Sequence, residues 1–452
     1  MFKRQVYLDK LVHSIGNGFI KVITGIRRSG KSFLLNTLFY DYLKYNVTDA
    51  EHIIRFAFDS AEDLERIGEN PIELQLKKKQ VDPAKFMDYL KTHTKEGERY
   101  FLLLDEIQEL GAFESVLNSY LRKPEFEIFV TGSNAKFLSK DLITEFAGRS
   151  DQIHLLPLSF SEFMENFSGD KYQGFAEYLL YGGLPLVAQE SNAEKKRHIL
   201  SSLFDEVYIR DVVKRNKIRN ENDLRDLIDV LSSSVGSLSS AEKITNTFHS
   251  EKKSKITRNT VAKFIDYLED AFMISSASRY DIKGKRYIGA PKKFYFADLG
   301  LRNARLNFRQ FEETHLMENA IYNELLYRGF NVDVGVVELA QKNENGSVSR
   351  KNLEIDFVCN LGSQRYYIQS AFSMPDNEKR AQEIRPFKTV RDSFKKIVVT
   401  KDFVPAFYDE NGILTMNVID FLMEPNSLIS LGLDAKRSIS SKIYAPKSVI
   451  VL

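Results

Sequence analysis

Gly25-Ile26-Arg27-Arg28-Ser29-Gly30-Lys31-Ser32 is the stretch on which the reading turns, a complete match to G-x-x-x-x-G-K-[ST]. Each fixed position has a chemical reason. Gly25 and Gly30 let the backbone curl so that successive N–H groups point inward at phosphate oxygens. Lys31 reaches the β- and γ-phosphates, Ser32 offers a hydroxyl to Mg²⁺, and a helix starting near Ser32 presents its positive end. The flanks agree. Phe19–Thr24 is a compact run rich in β-branched residues that leads in, and Leu34, Leu35, Leu38, Phe39 and Tyr42 form one apolar helical stripe leading out. Residues 25–33 are therefore the candidate nucleotide-binding set. Ile26, Arg27, Arg28, Ser29 and Phe33 join it because the backbone does the cradling, and no side-chain role is assigned to Arg27 or Arg28.

Outward from the loop, short apolar runs recur at Ile53–Phe58, Tyr100–Leu104, Ile128–Thr131 and Ile153–Leu156, separated by helical patterns. Near-continuous apolar strands between helices predict a parallel sheet covered on both faces, an α/β fold. Asp105-Glu106 directly follows the Tyr100 run. An acid at the end of such a strand holds Mg²⁺, which makes Asp105 the candidate metal residue beside Ser32. Glu106 is then the candidate that polarises an attacking water. Asn134, just past the Ile128 run, is a candidate to orient that water, with turn capping as the plainer reading. Arg149 is the candidate charge-stabilising arginine, in its own site or, if the chain oligomerises, in a neighbour's; a solvated or salt-bridged arginine is the equal alternative.

The whole chain has 452 residues, enough for two to four domains at roughly 150 each. Its 64 Lys+Arg nearly balance 62 Asp+Glu, so any nucleic-acid affinity must come from a local patch. The single cysteine, Cys359, excludes an intrachain disulfide and favours a reducing cytoplasm. The first twenty residues contain no continuous apolar core of a secretory signal, and no uncharged apolar run approaches the length of a membrane span. After Pro157 the pattern turns helical, broken by Tyr181-Gly182-Gly183-Leu184-Pro185. Three helical patterns follow. The last starts at Thr257, a good N-cap, with Val261, Phe264, Ile265, Leu268 and Phe272 on one face. Strand-like runs at Ser278–Asp281 and Lys293–Phe296 come next, which is the order of a winged helix. Beyond them the pattern returns to mixed α/β.

These residues carry a resemblance. GIRRSGKS at 25–32, LLLDEIQ at 102–108, TGSNAKFLS at 131–139, AGR at 147–149, PLSFSEF at 157–163, YGGLP at 181–185, DVVKRNKI at 211–218, FYFADLGLRNA at 294–304 and EIDFV at 354–358 occur in this order. The chain resembles prokaryotic AAA-family ATPases fused to a C-terminal domain of unknown function. The resemblance implies ATP and Mg²⁺ as cofactors. It implies an AAA-type core over 1–156, a helical lid over 157–222, a winged-helix-like part over 223–304, and a restriction-endonuclease-like PD-(D/E)xK domain over 305–452.

An active PD-(D/E)xK site needs an Asp, then an acid and a Lys two apart on the next strand, to bind Mg²⁺ and position water. Asp356 fits the first position, but Gln369 stands where the acid should be and Ala371 where the Lys should be. Glu318 on the preceding helix can add a carboxylate. Lys379 is the nearest rescuing lysine, with a solvated surface lysine as its plainer reading. A binding scaffold is therefore expected in place of a nuclease. Between Ser276 and Arg309 lie nine basic residues against two acids, the composition of a wing that tracks phosphates, with Thr257–Phe272 as its recognition helix. DNA and a protein are equal candidate partners. The expectation is a cytoplasmic Mg²⁺-dependent ATPase whose nucleotide state controls that engagement. A nucleotide-gated binding module with negligible turnover is the alternative, and an ATP-driven nuclease the third.

Overall fold

Five parallel strands carry the front of the chain. β1 (Ile20–Thr24), β2 (Ile53–Ala57), β3 (Tyr100–Asp105), β4 (Phe126–Thr131) and β5 (Ser150–His154) lie in the order β2-β3-β4-β1-β5. Every neighbouring pair is parallel. In this computed structural model the described residues are 1–132, 146, 148–342 and 348–428. β1 and β3 are buried along their whole length, which is why they read as unbroken apolar runs. Lys21 is the exception within β1; its ammonium is fully buried and lies 2.6 Å from Glu127. Phe56, Phe58, Phe86 and Tyr89 cluster on one face of the sheet, the first three in edge-on contact about Phe86. The helix after the glycine loop runs over 31–46 and widens by one residue per turn at Leu34–Phe39.

The chain divides into two compact units. The first comprises Met1–Ser168, Glu177–Ser276 and Lys293–Phe311; the second comprises Gly169–Ala176, Ala277–Lys292 and everything from Glu312. Behind its sheet, the first unit holds the helices Glu221–Ser233, Ala241–Glu251 and Arg258–Asp270, with the short strand β6 (Leu238–Ser239) between the first two. Thr257 caps the last of these: its hydroxyl accepts from the Thr260 N–H at 3.2 Å. Val261, Phe264, Ile265 and Leu268 are buried, as their spacing predicts. Phe272 falls outside that helix. It is left-handed (φ 55) and its ring lies 4.6 Å from His154.

A hairpin of β7 (Ile274–Asp281) and β8 (Arg286–Phe296) follows, and its distal half belongs to the second unit. There come the helix Glu313–Tyr327, then β9 (Asn331–Lys342), β10 (Val348–Leu361), β11 (Gln364–Ala371), the helix Asn377–Lys388, β12 (Lys395–Thr400), β13 (Phe407–Tyr408) and β14 (Leu414–Asn417). β9, β10 and β11 are antiparallel, whereas β12 and β14 run parallel to their inner neighbours. β10 shifts register between Ile355 and Val358.

The hairpin is not a free wing. Arg279, Tyr280 and Asp281 pair in parallel with Val334, Gly335 and Val336 of β9. The Tyr287 hydroxyl donates to Asp333 at 3.0 Å, and Lys283 Nζ donates to the Glu338 carbonyl at 2.8 Å. The basic segment is also narrower than its composition suggests. Lys293 and Arg302 are buried, and Arg305 is tied to Asp229 at 2.6 Å. Lys283, Lys285, Arg286 and Arg309 remain exposed. The reason is general: long basic side chains also serve buried carbonyls and acids within a fold, so composition alone overstates a phosphate-facing surface.

Candidate functional site

Gly25 turns the chain at φ 146, and a Cβ there would lie 2.2 Å from the Leu155 carbonyl oxygen. Only glycine fits so close an approach. Gly30 follows at φ 97 and opens the helix that begins at Lys31. Lys31 is 5% exposed, its Nζ donating to the carbonyls of Gly25 at 3.0 Å and Ile26 at 3.2 Å. Burial holds its pKa below the ordinary lysine value, while Glu106 and Asp105 pull it back up. Ser29 Oγ is buried with no partner among the described residues, an unspent polar atom inside the loop.

Asp105 ends β3 at 4% exposure. One oxygen accepts from the Thr131 hydroxyl, the other from Asn36 Nδ2 at 3.2 Å. Burial raises its pKa, and hydrogen bonds from Thr131 and Ser32 work against the rise. Thr131 has one proton to give, to Asp105, so it accepts from the Glu106 N–H at 3.0 Å. One hydroxyl thus orients both acids. Glu106 is left-handed (φ 48, ψ 50), a conformation a non-glycine residue adopts at a cost, and its carboxylate accepts from Gln108 Nε2. Asp59 and Glu109 lie close by. Burial, followed by the nearby acids, raises the pKa of each.

These groups meet in a cleft of ≈930 Å³ within the first unit, large enough for a nucleotide. The glycine loop, Asp59, Glu106, Pro185, Leu186 and Gln189 line it. The helical segment after Pro157 is fastened to the loop. The Tyr208 hydroxyl donates to the Arg27 carbonyl at 2.7 Å, and Arg27 pairs with Asp211 at 3.2 Å. Asp211 also pairs with Arg215 at 2.9 Å. The Arg27 side chain therefore has a structural partner.

Of the expected residues, Gly25 to Phe33 and Glu106 line or build this cleft, and Asp105 stands behind Glu106. Arg149 is exposed and does not line it. Asn134 lies outside the described residues. Sequence reasoning missed Thr131, Asn36, Asp59 and Tyr208 as contributors. In the sequence Thr131 reads only as a strand end; its role follows from β4 lying between β1 and β3, with Leu104 opposite Val130.

The donor set suits Mg²⁺ with a phosphate chain. Among the described residues no three His, Cys, Asp or Glu side chains converge on a metal. Mg²⁺ typically takes one or two carboxylates and completes its shell with phosphate and water. Ser32 and Asp105 are the residues that would hold it.

The rear acid is differently placed. Asp356 is 7% exposed and accepts from the Ser370 N–H at 2.9 Å, while its own N–H donates to Gln369 Oε1 at 3.4 Å. Ala371 is buried in the apolar cluster with Tyr367 and Ile384. Lys379 pairs with Glu383 at 2.7 Å one turn along its own surface helix, as its plainer reading expects. Glu318, also buried, lies on the helix Glu313–Tyr327.

Residues 17–164 match the family described as an AAA domain, and residues 172–312 match a domain of unknown function (DUF8612). An uncharacterized protein of Haemophilus influenzae is 32% identical over 433 residues, covering 94% of this chain and 99% of that protein. The chain belongs to that protein's family. Its archaeal relatives include the uncharacterized protein MJ1544 of Methanocaldococcus jannaschii, 30% identical over 82% of this chain and 79% of that one. The front end of this chain, residues 17–164, is an AAA-type P-loop domain, a nucleotide-binding α/β fold. Solved structures similar to the chain include the Aeropyrum pernix ORC1 protein in complex with DNA, 12% identical at a TM-score of 0.28, covering 68% of this chain and 93% of that one. Protein VC1899 from Vibrio cholerae is 11% identical at a TM-score of 0.19, covering 92% and 98%. Likenesses at these scores carry no argument about partner or chemistry. No helix among the described residues is long and apolar enough to cross a membrane.

Proposed function

We propose that the chain is a cytoplasmic Mg²⁺-dependent ATP hydrolase whose nucleotide state controls how its C-terminal parts engage DNA or a protein. The observation that carries the reading is Thr131 bridging Asp105 and Glu106 beside a buried Lys31 in one cleft. Mg²⁺, when bound, draws charge from the β- and γ-phosphates. Lys31 leaves its carbonyl partners for those phosphates, because a charge-assisted bond to phosphate is stronger than one to a carbonyl. The loop N–H groups and the helix N-terminus add fixed positive potential. Glu106 takes a proton from water as its oxygen attacks the γ-phosphorus, the bridging bond breaks, and ADP and phosphate leave. Asn134 is the proposed orienter of that water. Arg149, exposed and not among the residues lining the cleft, is the proposed charge-stabilising arginine, in its own site or a neighbouring subunit's. Turnover by wild type and Glu106→Gln, with and without double-stranded DNA at two salt concentrations, tests this. Hydrolysis that Glu106→Gln abolishes supports it, and equal rates in both proteins overturn it.

For the rest, we read 1–156 as the AAA core, 157–222 as its lid, 223–304 as winged-helix-like and 305–452 as nuclease-like without the chemistry. The helix, three antiparallel strands, helix and parallel strand from Glu313 to Thr400 support the last assignment. The buried Ala371 and the paired Lys379 argue against cutting. Exposed Lys283, Lys285 and Arg286 and the solvent face of Arg258–Asp270 are the surfaces offered to a partner. DNA that raises turnover at low salt and loses the effect at high salt is the outcome that favours phosphate contact.

A further inference from the structure

Asp298 heads the helix Leu299–Arg305 and is 2% exposed. One carboxylate oxygen accepts from the Leu301 N–H at 3.0 Å, an ordinary helix cap. The other accepts from the Gly183 N–H at 2.7 Å, in a turn 115 residues earlier. The Leu184 and Gly300 N–H groups also act to lower the carboxylate's pKa. Gly182 sits at φ +75, and a Cβ there would lie 2.4 Å from Asp298. Asn303, on the same helix, donates to the carbonyls of Leu179 and Leu180, each at 2.9 Å. The stretch from Leu179 to Leu184 is thus latched to one helix at both ends. The next two residues, Pro185 and Leu186, line the nucleotide cleft, and Pro185 Cγ comes within 3.9 Å of a Cβ built on Gly30. Asp298 itself does not line the cleft.

We propose that Asp298 is a positioning residue for the nucleotide cleft: its carboxylate latches the Gly182–Leu184 turn, which sets Pro185 and Leu186 as the wall beside Gly30. The inference rests on the reading that the cleft takes a nucleotide, and adds a residue to it from the domain of unknown function. Burying a carboxylate is unfavourable, and here burial pushes its pKa up to about 6. A cap alone does not need that charge, since asparagine caps as well as aspartate. The charge is needed to bind N–H groups from two elements at once. Asparagine has one acceptor oxygen; turned toward the Leu301 N–H, it presents its own NH₂ to the Gly183 N–H. Asp298→Asn therefore keeps the cap and breaks the latch.

The test is titration of the full-length protein with a fluorescent ATP analogue and Mg²⁺, in Asp298→Asn, Leu186→Ala, the double variant and Lys31→Ala. Asp298→Asn weakens affinity about tenfold, the loss expected for hydrogen bonds to a charged group. Turnover at saturating ATP changes less than about twofold, because the latch acts on binding. The double variant binds no more weakly than the weaker single variant, because both changes act on one wall. Wild-type affinity in a folded Asp298→Asn, or losses that simply add, overturns the proposal. If Asp298→Asn does not fold, Pro185→Gly loosens the same link beyond the latch. Unchanged affinity in both Pro185→Gly and Leu186→Ala then overturns it. Lys31→Ala separates the two readings. If it binds like wild type, the nucleotide assignment fails; if it alone loses binding, only the role of Asp298 does.

Discussion

Asp105 and Asp356 are both buried acids in strands, with different residues placed across the sheet from them. Asp105 is held by side chains, Thr131 and Asn36, and stands near an ammonium and a second acid. Asp356 accepts from a backbone N–H and has an amide and a buried methyl where the second acid and the lysine would be. A carboxylate held by side chains and facing a charged partner can exchange those partners for a metal. The difference teaches that a strand acid predicts chemistry only together with the residues across the sheet from it.

The contrast is broken most directly at Glu106. Glu106→Gln lowers kcat by about 10²–10⁴-fold with nucleotide affinity within a few-fold of wild type, checked by phosphate release and by titration. Lys31→Ala weakens nucleotide binding by roughly 100-fold or more, since a buried charge-assisted contact is removed. A third buried acid, Asp298, sharpens the contrast through pH. Its folded pKa of about 6 lies above the ordinary carboxylate value, so the folded chain holds the proton more tightly than the unfolded one. Burial favours its neutral form by more than the latch favours the ionised one, so its contribution to stability is complete below the ordinary carboxylate pKa and lost as pH rises through about 6. Tyr208, which senses its charge, has its own pKa raised, chiefly by burial, and stays neutral throughout. Denaturant melts of wild type against Asp298→Asn then show wild type losing on the order of 3 kcal/mol relative to the variant between about pH 4 and 7.

Smaller effects test the two acids' neighbours. Thr131→Val keeps the shape but removes the bridge between Asp105 and Glu106. It costs about 1–3 kcal/mol in a denaturant melt, for two partners left unpaired, and lowers turnover as well. At the rear, Lys379→Ala shifts stability by less than about 0.5 kcal/mol, the scale of an exposed ion pair. Wild type and Lys379→Ala both leave DNA intact with Mg²⁺. Mg²⁺-dependent cutting lost in Lys379→Ala would make the rear site a counterpart of the front one.

Much of the front was legible because its signals are local. The loop at 25–32 needs consecutive residues, the parallel strands are apolar along their length, and Asp105-Glu106 follows one of them directly. The hairpin was less legible. Its position and basic composition read correctly, but its pairing with β9, and the burial of Lys293 and Arg302, depend on residues that are distant in sequence. Phe272 fits the helical stripe of Arg258–Asp270, yet it lies beyond the helix end and leans on His154.

By itself, then, the sequence determined the phosphate loop and the α/β character of the front, because each is a matter of residue type at short spacing. Only the tertiary structure decided that Thr131 joins Asp105 to Glu106 and that Tyr208 holds the loop. It alone decided that Asp298 fastens the Gly182–Gly183 turn. Those are hydrogen bonds between groups separated by 25 to 181 residues, and their geometry is fixed only when a packed core leaves each buried donor one acceptor.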